Sequence, residues 1–270
     1  MGVPYAEVIG DPIAQSKSPL IHKFWLEQLG LEGDYRATLV PVGGLPAYLA
    51  ARRSDPDWRG CNITMPHKEA AIPLVDMIEG QLGRIGALNT IVPLPLNNQL
   101  LGTNTDTTGM LEALIAAKAS GPGVAVVGAG GAARAVCLAL SAYVPKIIVL
   151  NRDLNRAEAM IAALGIEAEA RSLEAPLPPV GLLVNASALG MTGFPPFRLS
   201  LDPLPAGAAV IDIVTSPLET ELLGAARARG LRTVDGLVML IGQAATAFHM
   251  FFGKPPPRED DTALRALLTS

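Results

Sequence analysis

The chain has 270 residues, half of them hydrophobic and 17% charged. That is enough apolar material for one large core or two ordinary ones, and too much for a disordered segment. A net charge of −4 and a pI near 5.4 exclude the basic footprint of a nucleic-acid-binding surface. No apolar run reaches the roughly 18 residues of a membrane span. The start, Met1-Gly2-Val3-Pro4-Tyr5-Ala6, has neither the charged opening nor the apolar run of a signal peptide, and it lacks the serine or threonine of a myristoylation signal. Cys61 and Cys137 form no disulfide framework or metal spacing and read as core residues in a reducing compartment. A globular, cytoplasmic protein is expected.

In chain order, Glu7 to Gly10 reads as a strand. Pro19 to Leu29 reads as a helix, with Ser18 as N-cap and Gly30 as terminator. Tyr35 to Val40 is a strand, Leu45 to Arg53 a helix and Cys61 to Thr64 a strand. Pro66 suits the first position of a further helix, which places Lys68 in its first turn. Unpaired N–H groups make the potential there positive, so a cation costs a few tenths of a kcal/mol. Lys68 is then either a solvated surface lysine whose stem swings away, or a group that uses the misfit. Asn89 to Leu94 is the next strand, and the alternation implies a layered α/β unit.

After Asn104-Thr105-Asp106 the pattern changes. Met110 to Lys118 is helical, and Ser120-Gly121-Pro122-Gly123 is a break. Val124 to Gly128, Lys146 to Asn151, Leu182 to Ala186 and Ala209 to Val214 read as strands. The helices are Ala132 to Ala142 and Asn155 to Leu164. These β-α-β units predict a doubly wound parallel sheet. The Pro-rich piece at 175–180 is a loop. Leu237 to Phe252 is a helix too apolar to stand exposed, and it is expected to pack back on the first unit.

Gly128-Ala129-Gly130-Gly131-Ala132-Ala133 fits G-x-G-x-x-A between a strand and a helix, the setting a dinucleotide site requires. Gly128 permits the tight turn, Gly130 lets a pyrophosphate approach and Ala133 allows close helix–strand packing. The N–H groups at the helix start, from Gly131 and Ala132, face the phosphates. The next strand ends at Asn151 where an NAD-selective site carries an acid; Arg152 and Arg156 follow and favour the 2′-phosphate of NADP, with NAD a second possibility. Asp153 opposes that phosphate unless it faces away as an N-cap.

Four polar segments collect at strand ends and helix starts: Gln15-Ser16-Lys17-Ser18, Asn62 to Lys68, Asn89-Thr90 and Asn104-Thr105-Asp106. Each alone suits a cap or turn. Together with Ile9 to Pro19, Gly128 to Ala133, Asn185-Ala186-Ser187 and Asp235 to Ala244, and in this order, they closely resemble the shikimate dehydrogenase family. The resemblance spans nearly the whole chain. It implies an α/β substrate domain (1–105) completed by a returning C-terminal segment (237–270), with a Rossmann-type domain (106–236) between them. It also implies reversible NADP-dependent reduction of 3-dehydroshikimate to shikimate, on the way to chorismate and the aromatic amino acids.

Carried over by position, Lys68 and Asp106 match the catalytic pair. Ser16, Ser18, Thr64, Asn89 and Gln243 match substrate ligands, with Asn62 in support. Gly130, Ala132, Asn151, Arg152 and Arg156 match cofactor contacts, and Gly236 and Met239 lie near the nicotinamide. The chemistry agrees: ketone reduction needs a hydride and a proton, and the reverse needs a base. A helix N-terminus beside Lys68 favours its neutral amine, whereas Asp106 favours the ammonium.

One position departs from the pattern. Many relatives carry a tyrosine where Thr215 stands, and the run Leu218 to Leu223 resembles members that also accept quinate; Ser18 points to shikimate. A quinate/shikimate dehydrogenase using NAD or NADP and a non-catalytic metabolite sensor are the alternatives. Retention of Lys68 and Asp106 argues against the sensor. The histidines His22, His67 and His249 read as structural, and no metal is expected. The partner is a small molecule, not nucleic acid or membrane, and the assembly a monomer or homodimer.

Overall fold

The computed structural model describes residues 2–94 and 98–270. The chain divides into two compact units, Met1–Thr105 with Gln243–Ser270, and Asp106–Gly242. The first contains β1 (Tyr5–Gly10), α1 (Ser18–Gln28), β2 (Asp34–Leu39), α2 (Leu45–Arg53), β3 (Trp58–Ile63), β4 (Met77–Ile78), β5 (Thr90–Pro93) and β6 (Leu100–Thr103). Its sheet runs β2-β1-β3-β5-β6-β4. β1 pairs in parallel with β2 and β3, while β5 lies antiparallel to β3 and β6. Side chains alternate across β1: Tyr5 and Ile9 join one core with Leu45, Leu49 and Trp58, and Ala6 and Val8 join another with Tyr35 and Phe251.

α1 corrects one expectation. The helix begins at Ser18 with Lys17 in the cap position, so Ser18 is not an N-cap; its N–H instead meets Ser16 Oγ at 3.3 Å. The expected stop holds. Gly30 sits at φ +58, and the N–H groups of Gly30 and Leu31 reach the carbonyls of Glu27 and Leu26 in a Schellman arrangement.

The second unit is built from α3 (Asp106–Ala117), β7 (Val124–Val127), α4 (Gly131–Ser141), β8 (Ile147–Asn151), α5 (Leu154–Leu164), β9 (Ala168–Ser172), β10 (Leu182–Asn185), β11 (Ala209–Asp212), α6 (Glu221–Ala228) and β12 (Arg232–Val234). All six strands are parallel in the order β12-β11-β10-β7-β8-β9, the doubly wound topology of a dinucleotide-binding fold. Both faces are buried. Val124, Val126, Val149 and Ile211 pack under α3 and α4, and Ala125, Val127, Leu183 and Val210 pack with Leu223 and Ala226 of α6. β9 gave no sequence signal because its Ala-Glu-Ala-Arg-Ser run is a half-exposed edge strand.

α7 (Gly236–Phe252) begins in the second unit and ends in the first; the division falls at Gly242/Gln243, later along the helix than the expected 237. Its later residues Phe248 and Phe251 surround His22 of α1, whose ring stacks on Tyr35 with centroids 3.8 Å apart. His22 is fully buried and neither ring nitrogen has a hydrogen-bond partner among the described residues. α8 (Asp261–Thr269) follows, with Leu264 and Leu268 buried.

Glu7 lies on the β1 face that looks toward α2 and is 1% exposed. Arg52 holds it through Nε at 2.6 Å and Nη2 at 3.1 Å, and Tyr48 and Thr38 each donate to it at 2.6 Å. Burial alone raises a carboxyl's pKa, but these bonds and the Arg52 charge outweigh it and hold Glu7 below the usual range. Arg52→Met leaves that carboxylate buried without its cation. A loss of about 3 kcal/mol is expected, the lower end for a broken buried pair because Arg52 is partly solvated. Urea unfolding measures it, and Glu7→Gln on the Arg52→Met background recovers most of the loss.

Candidate active site

The segment Asn62 to Lys68 does not continue into a helix. Thr64 N–H bonds Ile9 O at 2.9 Å and Asp11 N–H bonds Met65 O at 3.0 Å, so the chain after β3 is strapped to the end of β1. Gly10 makes the approach possible; a Cβ there would lie 2.5 Å from Thr64 Cγ2. His67, buried, donates Nε2–H to Val40 O at 2.7 Å. The Lys68 carbonyl accepts from Leu88 N–H at 2.8 Å, and Ile72 N–H turns to Glu69 O at 3.3 Å. Ala71 N–H closes one i to i+4 turn on His67 O at 3.0 Å, but Ile72 N–H does not reach the Lys68 carbonyl, so that turn is not propagated and only the short 3₁₀ turn Ile72–Leu74 follows. The helix expected from Pro66 is therefore absent, and so is the helix N-terminus expected beside the lysine. Lys68 is half-buried on a turn.

Of the predicted amides, Asn62, Asn89 and Gln243 are joined in a connected chain with Tyr35, Thr90 and Thr105. Tyr35 Oη donates to Asn62 Oδ1 at 2.6 Å, and Asn62 Nδ2 donates to Thr90 Oγ1 at 2.9 Å. Thr90 Oγ1 donates to Asn89 Oδ1 at 2.9 Å, and the same oxygen accepts Thr105 N–H at 2.7 Å. Asn89 Nδ2 donates to Thr105 Oγ1 at 3.1 Å, which meets Gln243 Oε1 at 3.4 Å. Asn62, with oxygen and amide both committed to protein groups, supports the network. Asn89 and Gln243 are brought together by Thr105, a residue the sequence reading quoted only within a motif. Asn104 Nδ2 anchors the same strand end to Ala87 O at 2.8 Å. Ser16, in the β1–α1 loop, and Ser18, the first residue of α1, sit together.

In the second unit, Gly128 follows β7 with φ +116, and a Cβ there would stand 2.9 Å from Ala186 O. A Cβ on Gly130 would meet nothing within 4 Å, so the space at this residue, the N-cap of α4, is open as a pyrophosphate requires. Ala133 is fully buried beneath. The residues present therefore fit a dinucleotide.

Asp153 is the N-cap of α5, accepting from Arg156 N at 3.1 Å, and Asn151 Nδ2 bonds Asp153 O at 2.8 Å. That capping bond is the N-cap role expected of Asp153. Arg156 Nε also donates to Ala129 O at 3.2 Å, tying its guanidinium to the glycine turn.

Gly236 owes its identity to packing, since a Cβ would lie 2.5 Å from the carbonyls of Ile213 and Val214. Met239 is 6% exposed and lies in the core with Val234 and Ile211. Asp212, fully buried at the end of β11, takes bonds from Asn185, Val214 and Thr220; burial raises its pKa, the three bonds only partly offsetting it. It braces the loops after β10 and β11, the second of which carries Thr215.

Among the described residues no His, Cys, Asp or Glu group is arranged to hold a metal ion, and no helix is long and apolar enough to cross a membrane. Both cysteines are buried, and burial pushes the Cys137 thiol up to about 12.

Residues 8–91 match the family described as the shikimate dehydrogenase substrate binding domain, and residues 236–263 match the shikimate 5′-dehydrogenase C-terminal domain. The chain is 59% identical over 268 residues to the shikimate dehydrogenase (NADP(+)) of Sphingopyxis alaskensis, covering 99% of this chain and 97% of that one. Its structure is similar to that of shikimate 5-dehydrogenase from Thermus thermophilus in complex with NADP(H) and shikimate. The TM-score is 0.85 at 37% identity, over 98% of this chain and 99% of the other. Quinate dehydrogenase from Corynebacterium glutamicum in complex with NAD superposes with a TM-score of 0.86 at 31% identity, again over 98% and 99%.

Proposed function

The chain belongs to the shikimate dehydrogenase family, and on that premise we propose that it catalyses the reversible NADP-dependent reduction of 3-dehydroshikimate to shikimate. The observation that carries this reading is the 59% identity to an NADP-dependent relative along almost the entire chain. The open cradle at Gly130 and the capped Asp153 support it. The protein is an oxidoreductase of aromatic amino-acid biosynthesis, acting on a small molecule in the cytoplasm as a monomer or homodimer.

Residues 1–105 with 243–270 carry the substrate, and residues 106–242 carry NADP. When bound, the nicotinamide supplies the hydride for reduction and takes it up in the reverse direction. Lys68 delivers the proton to the substrate oxygen and withdraws it in the oxidation, and Asp106 orients the amine. Ser16, Ser18, Thr64, Asn89 and Gln243 read the hydroxyls and carboxylate; their mixed donors and acceptors reject analogues lacking a matching group. Gly128, Gly130, Gly131 and Ala132 receive the pyrophosphate. Asn151, Arg152 and Arg156 receive the phosphorylated ribose, and Gly236 and Met239 border the nicotinamide.

Steady-state kinetics with shikimate and quinate against NADP and NAD test the reading. The highest kcat/KM is expected for shikimate with NADP. Protein that binds shikimate yet reduces neither cofactor overturns it in favour of a sensor. Quinate as a co-substrate is the second reading, favoured by the short Thr215 on the loop after β11.

Arg156→Ala is expected to lower kcat/KM for NADP about tenfold to hundredfold, the worth of one charge-assisted bond. NAD is expected to change little. An equal loss with both cofactors would mean that Arg156 serves only to hold the Ala129 carbonyl.

A further inference from the structure

Lys17 lies between Ser16 and Ser18 in the β1–α1 loop, and nothing in the proposed chemistry uses it. Its Nζ donates to Leu268 O at 2.7 Å, bridging residues 251 apart in the chain. Leu268 is in the last turn of α8, where backbone carbonyls lack intrahelical partners and the helix dipole favours a cation. α8 is seated by Leu264 and Leu268, which are 0% and 4% exposed, and it packs against α1.

The loop is also drawn together locally. Ser16 N–H bonds Ile13 O at 3.0 Å, Ser18 N–H bonds Ser16 Oγ at 3.3 Å, and Ile21 N–H bonds the Lys17 carbonyl at 3.3 Å. These bonds give the two serines a shape. The Lys17 ammonium fixes that shape against an element from the far end of the chain.

We propose that Lys17 is a positioning residue for substrate recognition: by pinning the Ser16–Ser18 loop to the C-terminal turn of α8, it pre-orders both hydroxyls for the substrate polyol. The proposal rests on the reading that Ser16 and Ser18 bind substrate. A ligand that must order its own loop pays for the ordering in affinity, so losing the tie weakens binding without touching the chemical step.

The test is steady-state kinetics of Lys17→Met and Lys17→Arg beside the unaltered protein, with shikimate and NADP each varied and thermal midpoints recorded. Lys17→Met is expected to raise the shikimate KM about fivefold to twentyfold, with kcat within about twofold and the NADP KM unchanged. Lys17→Arg keeps a donor for the carbonyl and restores most of the shikimate KM. An unchanged shikimate KM in Lys17→Met overturns the proposal. So does a parallel loss of kcat, both KM values and thermal midpoint, which marks a stability role alone. If the unaltered protein fails to oxidise shikimate, the functional reading itself has failed. In that case shikimate binding by calorimetry still decides the proposal, an equal affinity in Lys17→Met overturning it.

Discussion

In the Lys68→Ala variant kcat is expected to fall about 10²- to 10⁴-fold, the range for a positioned proton-transfer group, with the shikimate KM changing less than about tenfold. The variant isolates the side chain. The Lys68 backbone is held by its carbonyl bond to Leu88 N–H and by the turn around His67, and neither uses the amine. Lys68 is half-buried on a turn and fills no core position. Lys68→Arg is not expected to rescue turnover, because a guanidinium does not give up its proton at accessible pH. Steady-state kinetics in both directions decide the matter; a variant with unaltered kcat removes Lys68 from the mechanism.

Acid is expected to weaken the protein through His22, and His22→Leu to remove that sensitivity. Burial among Trp25, Tyr35, Phe248 and Phe251 lowers the imidazole to about 3 from an ordinary 6.5. Folded His22 thus stays neutral while the unfolded chain takes up a proton once the pH drops below 6.5. More protons on the unfolded side mean stability lost as pH falls, at a limiting slope of about 1.4 kcal/mol per pH unit between those two values. By pH 4 the unaltered protein is expected to have lost about 3 kcal/mol that the leucine variant keeps. Glu7 adds to the acid loss in both proteins at lower pH. Its carboxyl is held below its ordinary value, so its contribution is present above that value and goes as pH falls through the folded one. Urea midpoints at pH 7, 5 and 4 separate the two groups. Parallel curves for the two proteins would refute the assignment to His22.

The β-α alternation of the second unit was legible in the sequence because its signals are local. Apolar tetrads such as Val124–Val127, bounded by turn signals and followed by helical patterns, read as buried strands, and Gly128 marks a turn whose positive φ depends on the glycine itself. The Gly30 helix stop and the capping role of Asp153 are local in the same sense, each set by residues within one turn. The resemblance to the family was legible for the same reason, since its motifs are short and occur in order.

What only the tertiary structure decided involves partners far apart in sequence. Pro66 and its neighbours satisfy the rules for a helix start, yet after a single i to i+4 bond from Ala71 to His67 the next N–H, of Ile72, turns to Glu69, while the Lys68 carbonyl is held by the distant Leu88. Ser18 lost its cap role to a loop closed by Ser16. The series Tyr35, Asn62, Thr90, Asn89, Thr105 and Gln243 draws on five separate segments, and no periodicity in any of them marks where their side chains meet. Sequence determined the types of polar group at the strand ends, because strands and turns select them locally. Which of those groups face each other, and which backbone groups remain for a helix, was decided by long-range hydrogen bonding, where a buried donor takes whichever acceptor the fold brings within reach.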